Sequence, residues 1–332
     1  MARGRLFIAL TASLALCLGT AASAHASSIV FIKRGDIWLA RSDGKGQRAL
    51  TKNGTPRSPY RSPAYSDRGV ITAVKGQRDI YFFDRRGKQL RRKRDLTGGP
   101  TPPFASVIID HSISPNGRRL GSTLWVTTSA VAPKSFEPAG TDYDTSVWYS
   151  NTSNGRLLRG TTDGGQNVTW ASNSTPVVFA PYVFHSADAW LVSLSNPNNP
   201  TQWFQDREVV SVLDYTDGEP LNDGELTRRR DKIAVVRGPS TPASSAPTMV
   251  RVYSVSSLAA RPKERCDLRS APNSRIESPS WSPDGKRLAW SERSGIWSTR
   301  IAGGSGDCKA APRLLIRGAS QPDWGPADVP KR

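Results

Sequence analysis

The sequence predicts an all-β fold: a six-bladed β-propeller of four-stranded antiparallel blades, its ring closed by a C-terminal strand pairing with the N-terminal blade. Three observations carry this. A block of short apolar stretches separated by turn residues recurs along the chain, an aromatic residue marks the same place in many copies, and the two ends are complementary halves of one block. Repetition at roughly 40–50 residues indicates a propeller or a solenoid.

The clearest copy starts Ser278-Pro279-Ser280-Trp281-Ser282-Pro283-Asp284-Gly285. It continues Lys286-Arg287-Leu288-Ala289-Trp290-Ser291 and Gly295-Ile296-Trp297, and ends Pro312-Arg313-Leu314-Leu315-Ile316. The Asp-Gly pair at the first reversal supplies the positive φ of a tight hairpin.

Taken in chain order, the other copies decay from this pattern. Ile29-Val30-Phe31 followed by Gly35-Asp36-Ile37-Trp38 matches the second and third strands around Trp290 and Trp297. Pro63-Ala64-Tyr65 leads through Gly69 into Val70 to Val74 and Asp79 to Phe83. His111-Ser112-Ile113-Ser114-Pro115-Asn116-Gly117 precedes Arg118-Arg119-Leu120 and Ser146-Val147-Trp148-Tyr149. Trp170 with Asn173 and Ser174 precedes Val177-Val178-Phe179 and Ala189-Trp190-Leu191-Val192. In the weakest copy, Leu226 to Asp231, arginines occupy the turn positions, and the blade is identified mainly from Ile233 to Val236 and Met249 to Tyr253.

The ends decide between a ring and an open stack. The repeats begin at Ile29 with a second strand whose first strand is missing, and Pro322-Asp323-Trp324-Gly325-Pro326 copies the first strand Pro279 to Pro283 with no blade after it. Pairing the two closes the circle, whereas an open array would leave unpaired backbone groups at both ends.

The Ser-Pro-Asp-Gly turn after Trp281, the apolar strand behind it, the Gly-x-Ile-Trp element at Ile37 and its Gly-Ile-Trp counterpart at Ile296 resemble the TolB-like, WD-like propeller repeats. The resemblance covers nearly the whole chain after the leader and is sharpest around Trp281 and Trp324. It implies a six-bladed propeller in an exported bacterial protein. TolB itself carries a separate N-terminal domain with no counterpart here, so its particular partnerships do not transfer with the repeats.

Residues 1–26 read as a signal peptide: Arg3 and Arg5, an apolar run from Leu6 to Leu18, then small residues with cleavage after Ala24 or Ala26. The run is shorter than the ~20 apolar residues of a membrane-crossing helix. Leu16 before Cys17 lacks the small residue of a lipoprotein signal. This leaves 27–327 for the propeller and 328–332 as a C-terminal tail, with no later transmembrane segment and a secreted or periplasmic destination. Cys266 and Cys308 fall in the third-to-fourth-strand regions of neighbouring blades, and an oxidising compartment lets a disulfide between them persist.

In a blade with strands a to d, numbered from the channel outwards, the a–b and c–d turns share one face of the disc and the b–c and d–a connections the other. Excess length gathers in the second set: Thr128 to Thr145, Ala180 to Asp188, Arg207 to Glu225 and Gly238 to Pro247. Such insertions usually build a binding surface. They carry acids including Glu137, Asp142, Asp144, Asp188, Asp214, Asp217 and Asp223, whereas Lys45, Arg85, Arg86, Arg118 and Arg261 lie near the other face or the rim. A dipolar disc is therefore expected.

Chemistry has few parts here. His111 and His185 are isolated, no Cys/His metal spacing or Gly-x-Ser-x-Gly elbow occurs, and the histidine cluster of TolB-like pectate-fragment lyases has no counterpart. Asp214 to Glu219 could hold calcium but lacks EF-hand spacing. No catalytic residue, metal or cofactor is assigned. Trp38, Trp148, Trp190 and Trp297 share one repeat position and read as packing, so the candidate partner-binding residues are Tyr143, Asp144, Asp188, Trp203, Asp214 and Asp217.

The formal net charge of +18 favours anionic surfaces. Arg91, Arg92, Lys93 and Arg94 are the candidate anion-binding residues, and they equally protect an outer strand from edge pairing. The leading reading is a monomeric, non-catalytic scaffold for a protein or cell-envelope component, with no nucleic-acid partner. An anionic-polymer binder comes second. A propeller enzyme acting on carbohydrate comes third and would need carboxylates or a metal at the channel mouth.

Overall fold

A computed structural model of the chain describes residues 27–94, 106–127, 143–154, 156–180, 188–205, 221–238, 248–270, 274–301, 308 and 311–330. These form six four-stranded antiparallel sheets. Blade 1 takes β1 (Ser28–Lys33), β2 (Asp36–Arg41) and β3 (Arg48–Ala49) from the start of the chain. Blade 2 is β4 (Tyr60–Tyr65), β5 (Ile71–Lys75), β6 (Asp79–Phe83) and β7 (Gln89–Arg94). Blade 3 is β8 (Ser106–Ile113), β9 (Arg119–Thr127), β10 (Tyr143–Asn151) and β11 (Leu157–Asp163). Blade 4 is β12 (Gln166–Trp170), β13 (Pro176–Ala180), β14 (Asp188–Ser193) and β15 (Asn196–Gln205). Blade 5 is β16 (Leu221–Leu226), β17 (Lys232–Arg237), β18 (Met249–Ser254) and β19 (Lys263–Arg269). Blade 6 is β20 (Glu277–Trp281), β21 (Arg287–Glu292), β22 (Gly295–Arg300) and β23 (Arg313–Arg317), after which β24 (Ser320–Gly325) returns to blade 1.

The closure is the one the sequence ends demand: β24 runs antiparallel to β1, with Trp324 opposite Ile29 and Gly325 opposite Ser28. Six apolar clusters fill the six interfaces between neighbouring blades. The cluster that seals the ring joins Ile29, Phe31 and Trp324 of blade 1 to Ala289, Ile296 and Ile316 of blade 6. Alternate residues of each blade face opposite neighbours, which is why short strands with apolar residues on both faces suffice. The repeating Trp38, Trp148 and Trp297 are partly buried and lie against these clusters. Val329 packs on the blade 1–2 cluster, and Arg85 Nη1 donates to Asp328 O at 2.7 Å, so the last described residues lie along the disc.

One strand differs from its sequence reading. Residues 207–225 read as an insertion, yet Leu221–Leu226 is the inner strand of blade 5, and it carries Asp223 and Glu225. The apolar signal is missing because those two carboxylates occupy positions that face the next blade's backbone.

Candidate functional site

The inner strands β4, β8, β12, β16, β20 and β24 surround a central cavity of about 1410 Å³. Each carries the same four-residue block: Ser62 to Tyr65, Asp110 to Ile113, Asn167 to Trp170, Asp223 to Leu226, Ser278 to Trp281 and Gln321 to Trp324. The register against the second strand shifts beside the start of every block, a bulge in all six blades. In four of them the first residue takes a left-handed conformation, with φ of 45° at Ser62, 47° at Asn167, 50° at Ser278 and 53° at Gln321. The bulge turns a backbone N–H out of the ladder and towards a side chain of the adjacent blade.

That outward N–H is the basis of an inter-blade clamp. At the third block position, Thr169 Oγ1 accepts from Leu226 N at 3.2 Å, Glu225 Oε2 from Trp281 N at 2.8 Å, Ser280 Oγ from Trp324 N at 2.9 Å and Asp323 Oδ2 from Tyr65 N at 2.6 Å. At the first position, Asp223 Oδ2 accepts from Ser278 N at 3.1 Å and Gln321 Oε1 from Ser62 N at 2.8 Å. Four consecutive blade junctions are tied in this way. Threonine and serine perform the task that glutamate and aspartate perform next door, so the shared requirement is an acceptor rather than a charge.

The carboxylates nevertheless alter the cavity. Each of Asp110, Asp223, Glu225 and Asp323 is half-buried, its exposed part facing the cavity. Burial pushes their pKa values up, to about 6 for Asp110 and Asp323, about 7 for Asp223 and about 8 for Glu225. Mutual repulsion adds to this at Asp223, which feels Asp110, and at Glu225, which feels Asp323. Ser280 Oγ bonds to both Glu225 and Asp323, and these bonds act against burial by favouring the ionised carboxylates. His111 is buried with Nε2 at 2.8 Å from Thr72 Oγ1, and burial, then Arg61, presses its pKa down to about 3. Among the described residues no group of three or more His, Cys, Asp or Glu is placed to hold a metal ion.

The two ends of the cavity differ. Arg228, just after β16, donates through Nε to Asp67 Oδ1 at 2.6 Å and through Nη2 to Trp324 O at 2.8 Å. Asp67 belongs to blade 2, which stands opposite blade 5 in the ring, so this side chain straps the channel at the a–b face. The other end opens among Trp125, Thr145, Gln166, Asn222, Arg275 and Glu277. Segments 95–105, 128–142, 181–187, 206–220 and 239–247 all join strand ends at that same face and lie outside the described residues.

The sequence candidates fare differently. Trp203 is a core residue: it is 7% exposed, meets Phe204 edge-on at 5.3 Å, and its indole N–H donates to Ala260 O at 3.0 Å. It is withdrawn from a partner by blade 4–5 packing. Asp188 is buried too and accepts from Gln202 Nε2 at 2.8 Å. Tyr143 and Asp144 open β10 opposite Thr127 and Val126, at the elaborated face. Asp214, Asp217 and His185 lie outside the described residues.

On β7, Arg91 stacks 4.2 Å from the Phe82 ring and donates to Ser153 O, while Arg92 pairs with Asp79 and stacks over Tyr81. Burial lowers the Lys93 pKa to about 8. These cations cover the outer sheet of blade 2. Arg94 ends the strand opposite Asp79. Cys266, on β19, and Cys308, between β22 and β23, form a disulfide with Cα atoms 5.0 Å apart, stapling blades 5 and 6 at the rim.

Lys33, Arg34, Lys75, Arg78 and Arg293 sit at b–c turns and Lys52, Arg57 and Arg275 in d–a connections, so the basic side chains are not confined to the a–b and c–d face. Of the acids on which the expected dipole rests, Glu137, Asp142, Asp214 and Asp217 lie outside the described residues. The strongest signal that sequence reasoning missed is the ring of bulges. It could have been found as a polar residue three places before the last residue of each inner-strand block: Ser62, Asp110, Asn167, Asp223, Ser278 and Gln321.

No family model matches the sequence, and no curated protein matches it. Solved structures share its fold. TolB from Acinetobacter baumannii superposes with a TM-score of 0.56 at 16% identity, covering 90% of this chain and 66% of that one. The β-propeller domain of Myceliophteria thermophila Cps50 (Swd1) gives a TM-score of 0.52 at 12% identity, covering 88% of each. The chain thus spans just under two thirds of the TolB length, and likeness at this identity is a likeness of fold.

Proposed function

We propose that this protein is an exported, non-catalytic binding scaffold that receives a protein or cell-envelope component on its b–c and d–a face. One observation carries the reading: the channel opens on the face where the long connections 128–142, 181–187, 206–220 and 239–247 begin and end, and it is strapped at the other. Inserted connections on one face of a ring are how propellers present a recognition surface. The buried carboxylates support a binding role over catalysis, because their oxygens are engaged in blade-to-blade bonds that any acceptor can make. Export is supported by the leader pattern of residues 1–26 and by the disulfide, and among the described residues no helix is long and apolar enough to cross a membrane.

Photo-crosslinking groups placed at Tyr143 and in 206–220, and in parallel at Arg68 and Lys286 on the opposite face, test this in envelope extracts. Adducts of one defined mass from the first pair, lost when 206–220 is replaced by a short Gly-Ser turn in a variant with unchanged Tm, are the expected result. Adducts confined to the opposite face would overturn the assignment.

A further inference from the structure

The a–b face carries a second surface, and its organisation rests on a departure from the repeat. The a–b turns of blades 2, 3 and 6 place Gly69, Gly117 and Gly285 at a position with φ of 82°, 70° and 65°. Blade 5 has Arg230 there, at φ 57° and exposed. An L-residue with a long side chain in this conformation is strained by roughly 1–2 kcal/mol. Such a departure from a local rule is a reason to look for a function at that site. Arg230 also lines the channel end, beside the Arg228 strap.

Around the same mouth, exposed cations project from four blades: Arg68 in blade 2, Arg118 in blade 3, Arg229 and Arg230 in blade 5, and Lys286 in blade 6. None of the five enters an ion pair among the described residues. The acids of these turns are already engaged. Asp67 is held by Arg228, Asp231 by Lys232 at 2.9 Å, and Asp284 by Ser282 Oγ at 2.6 Å. Asp284, held by a neutral hydroxyl, keeps its charge, but the five cations outweigh it. The face therefore presents net positive charge in an arc broken twice, by the neutral turn Ser172 to Thr175 of blade 4 and by blade 1, which carries the exposed Asp328 there.

We propose that this arc binds a linear polymer bearing phosphate groups, laid across the strapped mouth. A single small anion gains little from one exposed cation in water, whereas a polymer engages several at once and releases counterions at each. Four of the five cations are guanidinium groups, whose forked donors fit tetrahedral oxyanions, and phosphate is a stronger acceptor than a sulfate ester. Arg228 and the carboxylates behind it keep the anion out of the channel. This surface is independent of the opposite face and of the scaffold reading.

The test measures binding of long-chain inorganic polyphosphate by the folded protein across a salt series. Wild-type affinity should fall linearly on a log–log plot. Arg230→Gly should lower that slope by about 0.7–0.9 while leaving Tm unchanged or higher, a pairing that a merely structural arginine would not give. Arg68→Ser, Arg118→Ser and Arg229→Ser together should lower it by about 2–3, and Lys33→Ser with Arg34→Ser and Arg293→Ser on the other face should not change it. Unchanged binding by the first two variants, or an equal loss in the third, overturns the proposal. Heparin binding as tightly at matched charge would overturn the phosphate assignment.

Discussion

Blades 5 and 6 stand side by side, joined by a disulfide and a shared core, and their a–b turns have the same hydrogen bonds with different residues. In blade 6, Ser282 N donates to Arg287 O at 2.8 Å and Gly285 N to Ser282 O at 2.7 Å. In blade 5, Thr227 N donates to Lys232 O at 2.9 Å and Arg230 N to Thr227 O at 2.8 Å. Pro283-Asp284-Gly285 has become Arg228-Arg229-Arg230 without a change in the turn. The backbone bonds and the inner-strand clamp specify the reversal strongly enough that the favourable turn residues can be given up, and in blade 5 their places hold one strap and two free cations.

The largest test of how far the two blades depend on each other is to cut the staple. Cys266 and Cys308 are 42 residues apart, and cross-linking a loop of that size removes denatured-state freedom worth about 3–4 kcal/mol on the chain-entropy estimate. Cys308→Ser should lower Tm in calorimetry, and reductant should bring the wild type down to the variant while leaving the variant unmoved. Equal Tm values would mean that the shared core of Trp281, Trp290, Val250 and Leu268 holds the pair unaided.

Removing the strap comes next. Arg228→Ala leaves Asp67 and Trp324 O without their donor and should cost about 2 kcal/mol, since partly buried polar groups lose their partners. A urea titration that shows no change in midpoint would reduce the strap to a surface ion pair. The exchange of turn residues is smaller and has opposite signs in the two blades. Gly285→Arg should destabilise by about 1–2 kcal/mol, because a Cβ at φ 65° is strained and would stand 3.2 Å from Thr227 Cγ2. Arg230→Gly should be neutral or stabilising by up to about 1 kcal/mol. Losses of similar size in both would show that Arg230 has a structural partner.

The same pair of blades shows what a sequence exposes. Blade 6 is legible throughout: Trp281, Asp284-Gly285, Trp290 and Trp297 each satisfy a local rule, and the β24–β1 closure follows from matching Trp324 to Trp281. Blade 5 hides its inner strand, because Asp223 and Glu225 look like loop acids until the backbone N–H groups they accept from are known. The channel was illegible for the same reason. Its carboxylates come from blades 1, 3 and 5, separated along the chain by whole repeats, and local pattern says nothing about groups that meet across a ring. Trp203 misled in the opposite direction: lying outside the repeated tryptophan position, it looked free, yet the blade 4–5 interface buries it.

The smallest effect concerns the proton on Glu225, which separates blade 5 from blade 6, where Ser280 holds the same position. Glu225 faces Arg228 from its own blade, Ser280 and the Trp281 N–H from blade 6, and Asp323 from blade 1. Its folded pKa of about 8 lies above the ordinary value of 4.5, so the folded state binds the extra proton. The stability this contributes is complete below the ordinary value and is lost as pH rises towards 8. Asp223, at about 7, acts in the same direction. His111 opposes them only below pH 6.5, because its folded pKa is depressed to about 3 and the unfolded chain takes up its proton first. Between pH 6.5 and about 7 the carboxyls therefore act unopposed and Tm should fall. Nearer pH 8 Lys93, whose folded pKa of about 8 lies below its ordinary 10.5, begins to oppose them, equally in the wild type and in a Glu225 variant. Glu225→Gln keeps an acceptor for Trp281 N and a donor for Ser280, as the protonated acid does, so it should match the wild type near pH 5. At pH 8 it should melt about 2–4 °C higher, corresponding to about 1 kcal/mol. Parallel Tm curves for the two proteins from pH 5 to 8 would mean that Glu225 is ionised throughout, with Arg228 rather than a proton balancing it.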